Sequence, residues 1–214
     1  MDQPQEYKLD ALELYQATCL TLSNKPSIKT DAVFFHARGV GDDDGLFEVV
    51  AQLYKNGLAE KIVITNFDGI STTEPGKRIA SGKEYYLEQL SSLVPKEAIV
   101  CADSAENTLT ENRAFLDLAQ KSGWKSGVIV AQPHQLLRAM LGAVKGVQKR
   151  HMDFRLYSAC PQTTNWKKDT FVNQGVPSTR FDNISAELER IPRYIAKGDI
   201  ATLQELISYI CSSI

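Results

Sequence analysis

Residues 127–139 read Gly127-Val-Ile-Val-Ala131-Gln132-Pro133-His134-Gln135-Leu-Leu-Arg138-Ala139. An unbroken apolar run rich in β-branched residues meets a proline, which is favoured in the first turn of a helix because its missing N–H is not needed there. A strand buried on both faces reads as such a run, without the alternation of a half-exposed strand. The figure recurs in both directions along the chain. Asp31-Ala-Val-Phe-Phe-His36, Lys61-Ile-Val-Ile-Thr65, Glu97-Ala-Ile-Val-Cys101 and Phe154-Arg-Leu-Tyr-Ser158 are the other strand segments. Helical spacing occupies 9–22, 46–56 up to Gly57, about 80–92, 105–121 up to Gly123, and the stretch from Pro133. The tail from about Asn183 to Ile214 is helical and packs either on the sandwich or on a second subunit.

Strands alternating with helices predict the α/β class: a three-layer Rossmann-like sandwich around a five-stranded parallel sheet with right-handed crossovers. The expected strand order is 3-2-1-4-5, with its crevice between strands one and four. The alternative, 2-1-3-4-5, lines the crevice with the loop Asn107–Asn112. One domain, 1–214, is expected, with a C-terminal helical extension over about 180–214.

The chain has 214 residues, 24 Lys+Arg against 26 Asp+Glu, and a formal net charge of −2. A near-neutral balance without long basic runs argues against a nucleic-acid protein. No apolar run approaches the roughly 20 residues that span a bilayer. Met1 to Lys8 lacks the basic start and apolar core of a signal peptide. Cys19, Cys101, Cys160 and Cys211 are widely spaced with no CxxC pair, so a reduced, cytoplasmic chain is expected. His151 lies in a basic stretch (Lys145, Lys149, Arg150, Arg155) that reads as a solvated face.

In parallel sheets of this kind ligands bind at the carboxyl ends of the strands. Four loops there carry more polar chemistry than a connection needs. Asp103-Ser-Ala-Glu-Asn107-Thr108-Leu-Thr-Glu111-Asn112 follows strand three. Thr108-x-x-Glu111 suits a capping box, with Ser104 or Asp103 as alternative caps. Asn112 falls inside the apolar stripe of Leu109, Phe115, Leu116 and Ala119, with Thr108 at its edge. It either ties down a neighbouring loop or faces a ligand. After strand four, Gln132, His134 and Arg138 surround a helix start, where free N–H groups favour an anion and an arginine fork grips phosphate or carboxylate. The competing reading makes His134 a cap and pairs Arg138 with a surface acid. After strand one, His36-Ala-Arg38-Gly39-Val-Gly41-Asp42-Asp-Asp44-Gly45 suits a backbone wrapped closely round a ligand. Its three aspartates suit either Mg²⁺ or, as preferred here with no metal assigned, a solvated turn and helix cap. The fourth loop, 66–81, carries Asn66 and Gly69 at its start and leads into Lys83 and Glu84. Long connections of this sort tend to be binding segments.

These residues form a pattern. Leu53-Tyr54-x-x-Gly57, Lys83-Glu84, Asn107-Thr108-x-x-Glu111-Asn112 and Pro133-His134-x-x-x-Arg138-Ala139 together resemble the bacterial YdcF/SanA/ElyC family over about residues 30–160. The Asn-Thr-x-x-Glu-Asn element is the most specific part. The resemblance implies a Rossmann-like fold and, through the soluble YdcF branch, S-adenosylmethionine as a possible cofactor. SanA and ElyC members carry an N-terminal membrane anchor and act in envelope biology, whereas this chain begins with a soluble helix. It also departs from the family at Ala102, Ala105 and Ala131-Gln132, where the family has Glu, Ser, and Thr or Ser.

The expected function is therefore binding of a nucleotide-type or other anionic small molecule, with transferase or phosphoester chemistry. Glu111 or His36 would be the general base, and Arg38, Gly39, Asn66, Gly69, Lys83, Glu84, Asn107, Thr108, Asn112, Gln132, His134 and Arg138 would form the ligand site. A homodimer through the C-terminal helices is a further expectation. The alternative is a non-catalytic binding or sensing module, or an envelope-related accessory protein.

Overall fold

Five strands lie side by side in the order β3-β2-β1-β4-β5, every neighbouring pair parallel. The computed structural model describes residues 7–36, 42–69, 81–162, 164–171 and 177–212. Along the chain these are α1 (Ala11–Ser23), β1 (Thr30–Phe35), α2 (Leu46–Lys55), β2 (Ala59–Thr65), α3 (Lys83–Ser91), β3 (Ile99–Ala102), α4 (Thr108–Ser122), β4 (Ser126–Val130), α5 (Pro133–Lys149) and β5 (Arg155–Ala159). A two-stranded antiparallel hairpin, β6 (Asp169–Phe171) and β7 (Pro177–Thr179), follows, then α6 (Arg180–Ala196) and α7 (Leu203–Cys211). The order is the first of the two expected ones, and the sheet is the α/β sandwich that the buried apolar runs predict.

Successive side chains of a strand point to opposite faces, and the two cores follow that rule. Ala32 and Phe34 of β1 join Val63, Ile129 and Leu156 in one core, beneath α1, α4, α5, α6 and α7. Val33 and Phe35 join Ile62, Ile64, Val128 and Val130 in the other, beneath α2 and α3. Each of the buried Val, Ile, Leu and Phe side chains contributes about 1.5–3 kcal/mol relative to exposure.

Some details depart from the sequence expectation, among them the start of α4 at Thr108 rather than at 105. Glu97 and Ala98 belong to a 3-10 turn that follows Pro95, so β3 begins at Ile99. Helix α3 begins at Lys83 rather than near 80. The hairpin β6–β7 was not anticipated, because three-residue strands are too short to show a period. The C-terminal helices settle on the sandwich. Tyr209 of α7 donates its hydroxyl to the Phe154 carbonyl and accepts the Leu156 N–H at 3.0 Å, and burial pushes its phenol up to about 12. Among the described residues, no helix is long and apolar enough to cross a membrane.

Candidate functional site

Strand β1 pairs with β2 on one side and with β4 on the other, so the crossovers change direction between β1 and β4. That is the crevice where sheets of this kind take ligands. His36 stands at the carboxyl end of β1, beside that point. Its backbone N–H continues the ladder onto the Val130 carbonyl at 3.0 Å, which places the imidazole one residue beyond β1. The ring is fully buried, edge-on to Phe34 with centroids 5.1 Å apart. Its Nδ1 lies 2.8 Å from Oε2 of Glu111, itself buried. Among the described residues Nε2 has no hydrogen-bond partner.

The phase of α4 delivers that carboxylate. Asn107, not Thr108, caps the helix: its Oδ1 accepts the N–H groups of Leu109 and Thr110 at 3.1 Å, and the Thr110 hydroxyl accepts the Asn107 N–H at 3.2 Å. The expected Thr108–Glu111 box and the caps at Asp103 or Ser104 are thereby corrected. Asn107 satisfies the first-turn donors, so Glu111 is released toward His36, while the Thr108 hydroxyl accepts the Gln135 amide at 3.0 Å.

Asn112 donates its amide to the Ala139 carbonyl at 3.1 Å and so ties α4 to the backbone of helix α5, rather than to a neighbouring loop. Its Oδ1 is buried with no partner among the described residues. The tie needs a glycine opposite: a Cβ on Gly142 would lie 2.6 Å from Asn112 Nδ2. Gln132, fully buried at the start of α5, donates to the carbonyls of Asp42 at 3.1 Å and Asp44 at 3.0 Å. It organises the loop ahead of α2.

That loop is not the solvated turn expected of it. Asp42 is buried and accepts Arg180 Nε at 2.7 Å, with His134 Nε2 at 3.8 Å. Asp43 accepts the Tyr85 hydroxyl at 2.6 Å, and Asp44 holds Lys168 at 2.6 Å. Burial first, then the Asp43 carboxylate, pushes the Tyr85 phenol up to about 12. The helix cap is Gly45, which makes no side-chain cap bond. Arg180 also reaches Asp44, Nη2 to Oδ2 at 3.3 Å, so one buried guanidinium bridges Asp42 and Asp44 while Asp43 faces Tyr85. Among the described residues no three His, Cys, Asp or Glu side chains gather as a metal site requires.

Arg138 is buried and grips no surface acid. Its fork closes on Glu187 of α6, Nε on Oε2 and Nη2 on Oε1 at 3.0 Å, and Arg190 Nη1 reaches the same Oε1 at 2.9 Å. Burial works against the Arg138 charge, but the Glu187 carboxylate outweighs it and holds the guanidinium above its ordinary value. Glu111 adds to the same field. An alternating series therefore runs from His36 and Glu111 to Arg138, Glu187 and Arg190.

Beside this series lies a cavity of about 330 Å³, lined among others by Asn107, Thr108, Asn112, Arg138, Arg190 and Asp199. Four of the sequence-predicted ligand residues meet there. His134 and Gln132 belong to the neighbouring Asp42 network. Asn66, Gly69, Lys83 and Glu84 gather elsewhere, at the end of β2: Lys83 donates to the Asn66 side chain at 2.8 Å, Glu84 is exposed, and Gly69 takes φ 86°, a left-handed conformation suited to glycine. Arg38 and Gly39 lie outside the described residues.

Arg180, Glu187 and Arg190 of α6 take part in these contacts, with Asn183 on the same helix, and none of the four is among the residues that the sequence reading singles out. Arg180, Asn183 and Glu187 share one helical face with the buried Ile191 and Ile195. Polar residues in line with an apolar stripe were the available signal, the same one that marked Asn112. Asn183 joins the unanticipated hairpin to the site, donating to Thr170 at 3.0 Å. No family model matches the sequence, and no curated protein is similar to it.

Proposed function

We propose that the protein binds a small anionic molecule of nucleotide type at the carboxyl ends of β1 and β4, and that His36 moves a proton on it. The observation that carries this is the buried His36 ring, fixed at Nδ1 by Glu111 and without a partner among the described residues at Nε2. A carboxylate on Nδ1 holds the ring proton there and leaves the Nε2 lone pair as a base. Base and orienting acid within hydrogen-bond reach is the arrangement general-base catalysis uses. Glu111 is then the positioning residue and His36 the catalytic one.

The cavity is the anion subsite. Arg190 keeps N–H donors beyond the one on Glu187, and the wall also presents Asn107, Thr108 and Asn112. Its size is at the small end for small-molecule sites. The YdcF-like resemblance makes S-adenosylmethionine one ligand to try, as a donor of a carbon group for transfer. It is a net cation, so only its carboxylate would occupy the anion subsite beside Arg190, with its ammonium toward Asp199, which also lines the cavity. Transferase or phosphoester chemistry on a nucleotide-type substrate is the activity class.

The second reading is binding without turnover. The Arg138 fork closed on Glu187 favours it, because a guanidinium already saturated by its own protein holds structure rather than substrate.

The test is a thermal-shift panel of S-adenosylmethionine, nucleotides and sugar phosphates, followed by product analysis. A ligand that binds only the folded state raises the midpoint by mass action. One ligand class should raise the midpoint, and Arg190→Gln should lower its affinity about tenfold or more, as expected for a lost charge-assisted hydrogen bond. His36→Gln should keep binding and abolish product. Full turnover in His36→Gln overturns the catalytic role, and no shift with any ligand overturns the site.

A further inference from the structure

Helix α1 carries two apolar faces, and only one is covered. Ala17 and Thr21 are buried against the sandwich. On the other side Leu12 is 74% exposed, Tyr15 71% and Leu22 43%, with Cys19 exposed between them. Residues 12, 15, 19 and 22 are spaced three, four and three apart, the seam along which two helices pack knobs into holes. Ile28, 59% exposed just beyond the helix, extends the strip. The buried face fixes the rotation of α1, so the strip is held outward.

We infer that this strip is the contact surface for a second copy of the same chain, with the two α1 helices packed antiparallel about a twofold axis. The seam is self-complementary in that direction: Leu12 falls opposite Leu22 of the other copy, and Tyr15 opposite Cys19. Such a contact is isologous and closes as a dimer. Charge selects the direction. The amino end of the helix carries Lys8, Asp10 and Glu13, net −1, and Lys25 follows its carboxyl end. Antiparallel packing sets unlike ends together and also opposes the helix dipoles, while parallel packing sets like on like. The expected C-terminal route to a dimer has less to offer: α7 covers its own core, and the exposed apolar residues of α6 are Phe181 and Leu188, two turns apart.

A 13-residue helix is about 20 Å long, which puts the contact at the small end of specific interfaces. Monomer and dimer should therefore exchange with concentration. Sedimentation velocity on the full chain, from low micromolar to several hundred micromolar, is the experiment. The wild type should self-associate, Leu12→Glu/Tyr15→Glu should weaken association at least tenfold with unchanged circular dichroism, and Phe181→Glu should have no effect. A disulfide test reports direction independently. With Cys19→Ser, Cys101→Ser and Cys211→Ser as background, Leu12→Cys/Leu22→Cys should form covalent dimers under mild oxidation and Leu12→Cys alone should not. A monomer at every concentration overturns the inference. So does a dimer lost in Phe181→Glu but kept in Leu12→Glu/Tyr15→Glu, and so does cross-linking through Leu12→Cys alone.

Discussion

The two ends of β1 and β4 solve the same problem in opposite ways. At the amino end, Asp31 of β1 accepts the Lys125 N–H, the Ser126 N–H and the Ser126 hydroxyl at 2.8, 2.8 and 2.9 Å, locking β4 alongside. At the carboxyl end of the same pair, His36 Nε2, Asn112 Oδ1 and Gln132 Oε1 are buried with no partner among the described residues. A buried polar atom left unmade costs about 1–3 kcal/mol. One end of the strand pair has these polar groups paired, and the other holds buried ones unpaired among the described residues at the switch point, the place where sheets of this class take ligands. Stability carried against such a deficit is how binding and catalytic sites commonly differ from structural ones.

The sharpest way to break this contrast is at the carboxyl end. Glu187→Ala leaves Arg138 buried without its bidentate acceptor, and stripping one partner from a buried pair costs about 3–5 kcal/mol. Urea unfolding should show that loss, with Glu187→Gln retaining part of it. A loss near zero would mean that Arg138 is held by ligand-type interactions rather than by α6. Gly142→Ala should cost about 1–3 kcal/mol by overpacking against the Asn112 amide. Adding Asn112→Ala removes the obstructing atom, so the double variant should be more stable than the sum of the singles predicts. Additive effects would show that Asn112 does not depend on the close approach of α5.

The contrast also explains which parts of the molecule were legible beforehand. Strands β1, β2 and β4 are buried on both faces, and hydrophobicity alone wrote Val33, Phe34, Val63 and Ile129 into unbroken runs. Asn112 was legible because an amide inside an apolar stripe has few explanations. The partner of Arg138 was not. Glu187 lies 49 residues further on, and nothing local in a sequence specifies which carboxylate a buried guanidinium will meet. The Thr108–Glu111 box failed for a related reason. Asn107 and Thr108 both suit an N-cap, and the choice between them was decided by where Glu111 was needed, against His36 at the end of β1, 75 residues away.

The amino end supplies the smaller effects. Asp31→Ala removes acceptors for three hydrogen bonds in a partly exposed setting, and about 1–2 kcal/mol is expected, with the ligand response of the panel unchanged. A lost response would mean that the two ends are not separate.

The acid dependence of stability gives the finest separation. Burial works to raise the Asp31 carboxyl, but the Lys125 N–H and the Ser126 groups outweigh it and hold it below 3.8. Glu205 is likewise held below 4.5, by the Thr202 N–H and Lys145 against burial. A carboxyl whose folded value is depressed contributes stability that is fully present above its unfolded value and is lost as pH falls through the folded one. Stability should therefore begin to fall near pH 4.5 and decline further below pH 3.8. Asp31→Asn cannot titrate, so its urea midpoint should lie below the wild type at pH 6 and approach it as the pH drops below 3.8. A gap that stays constant across that range would show that the Asp31 bonds do not depend on its charge. The structural end of the strand pair would then rest on packing alone.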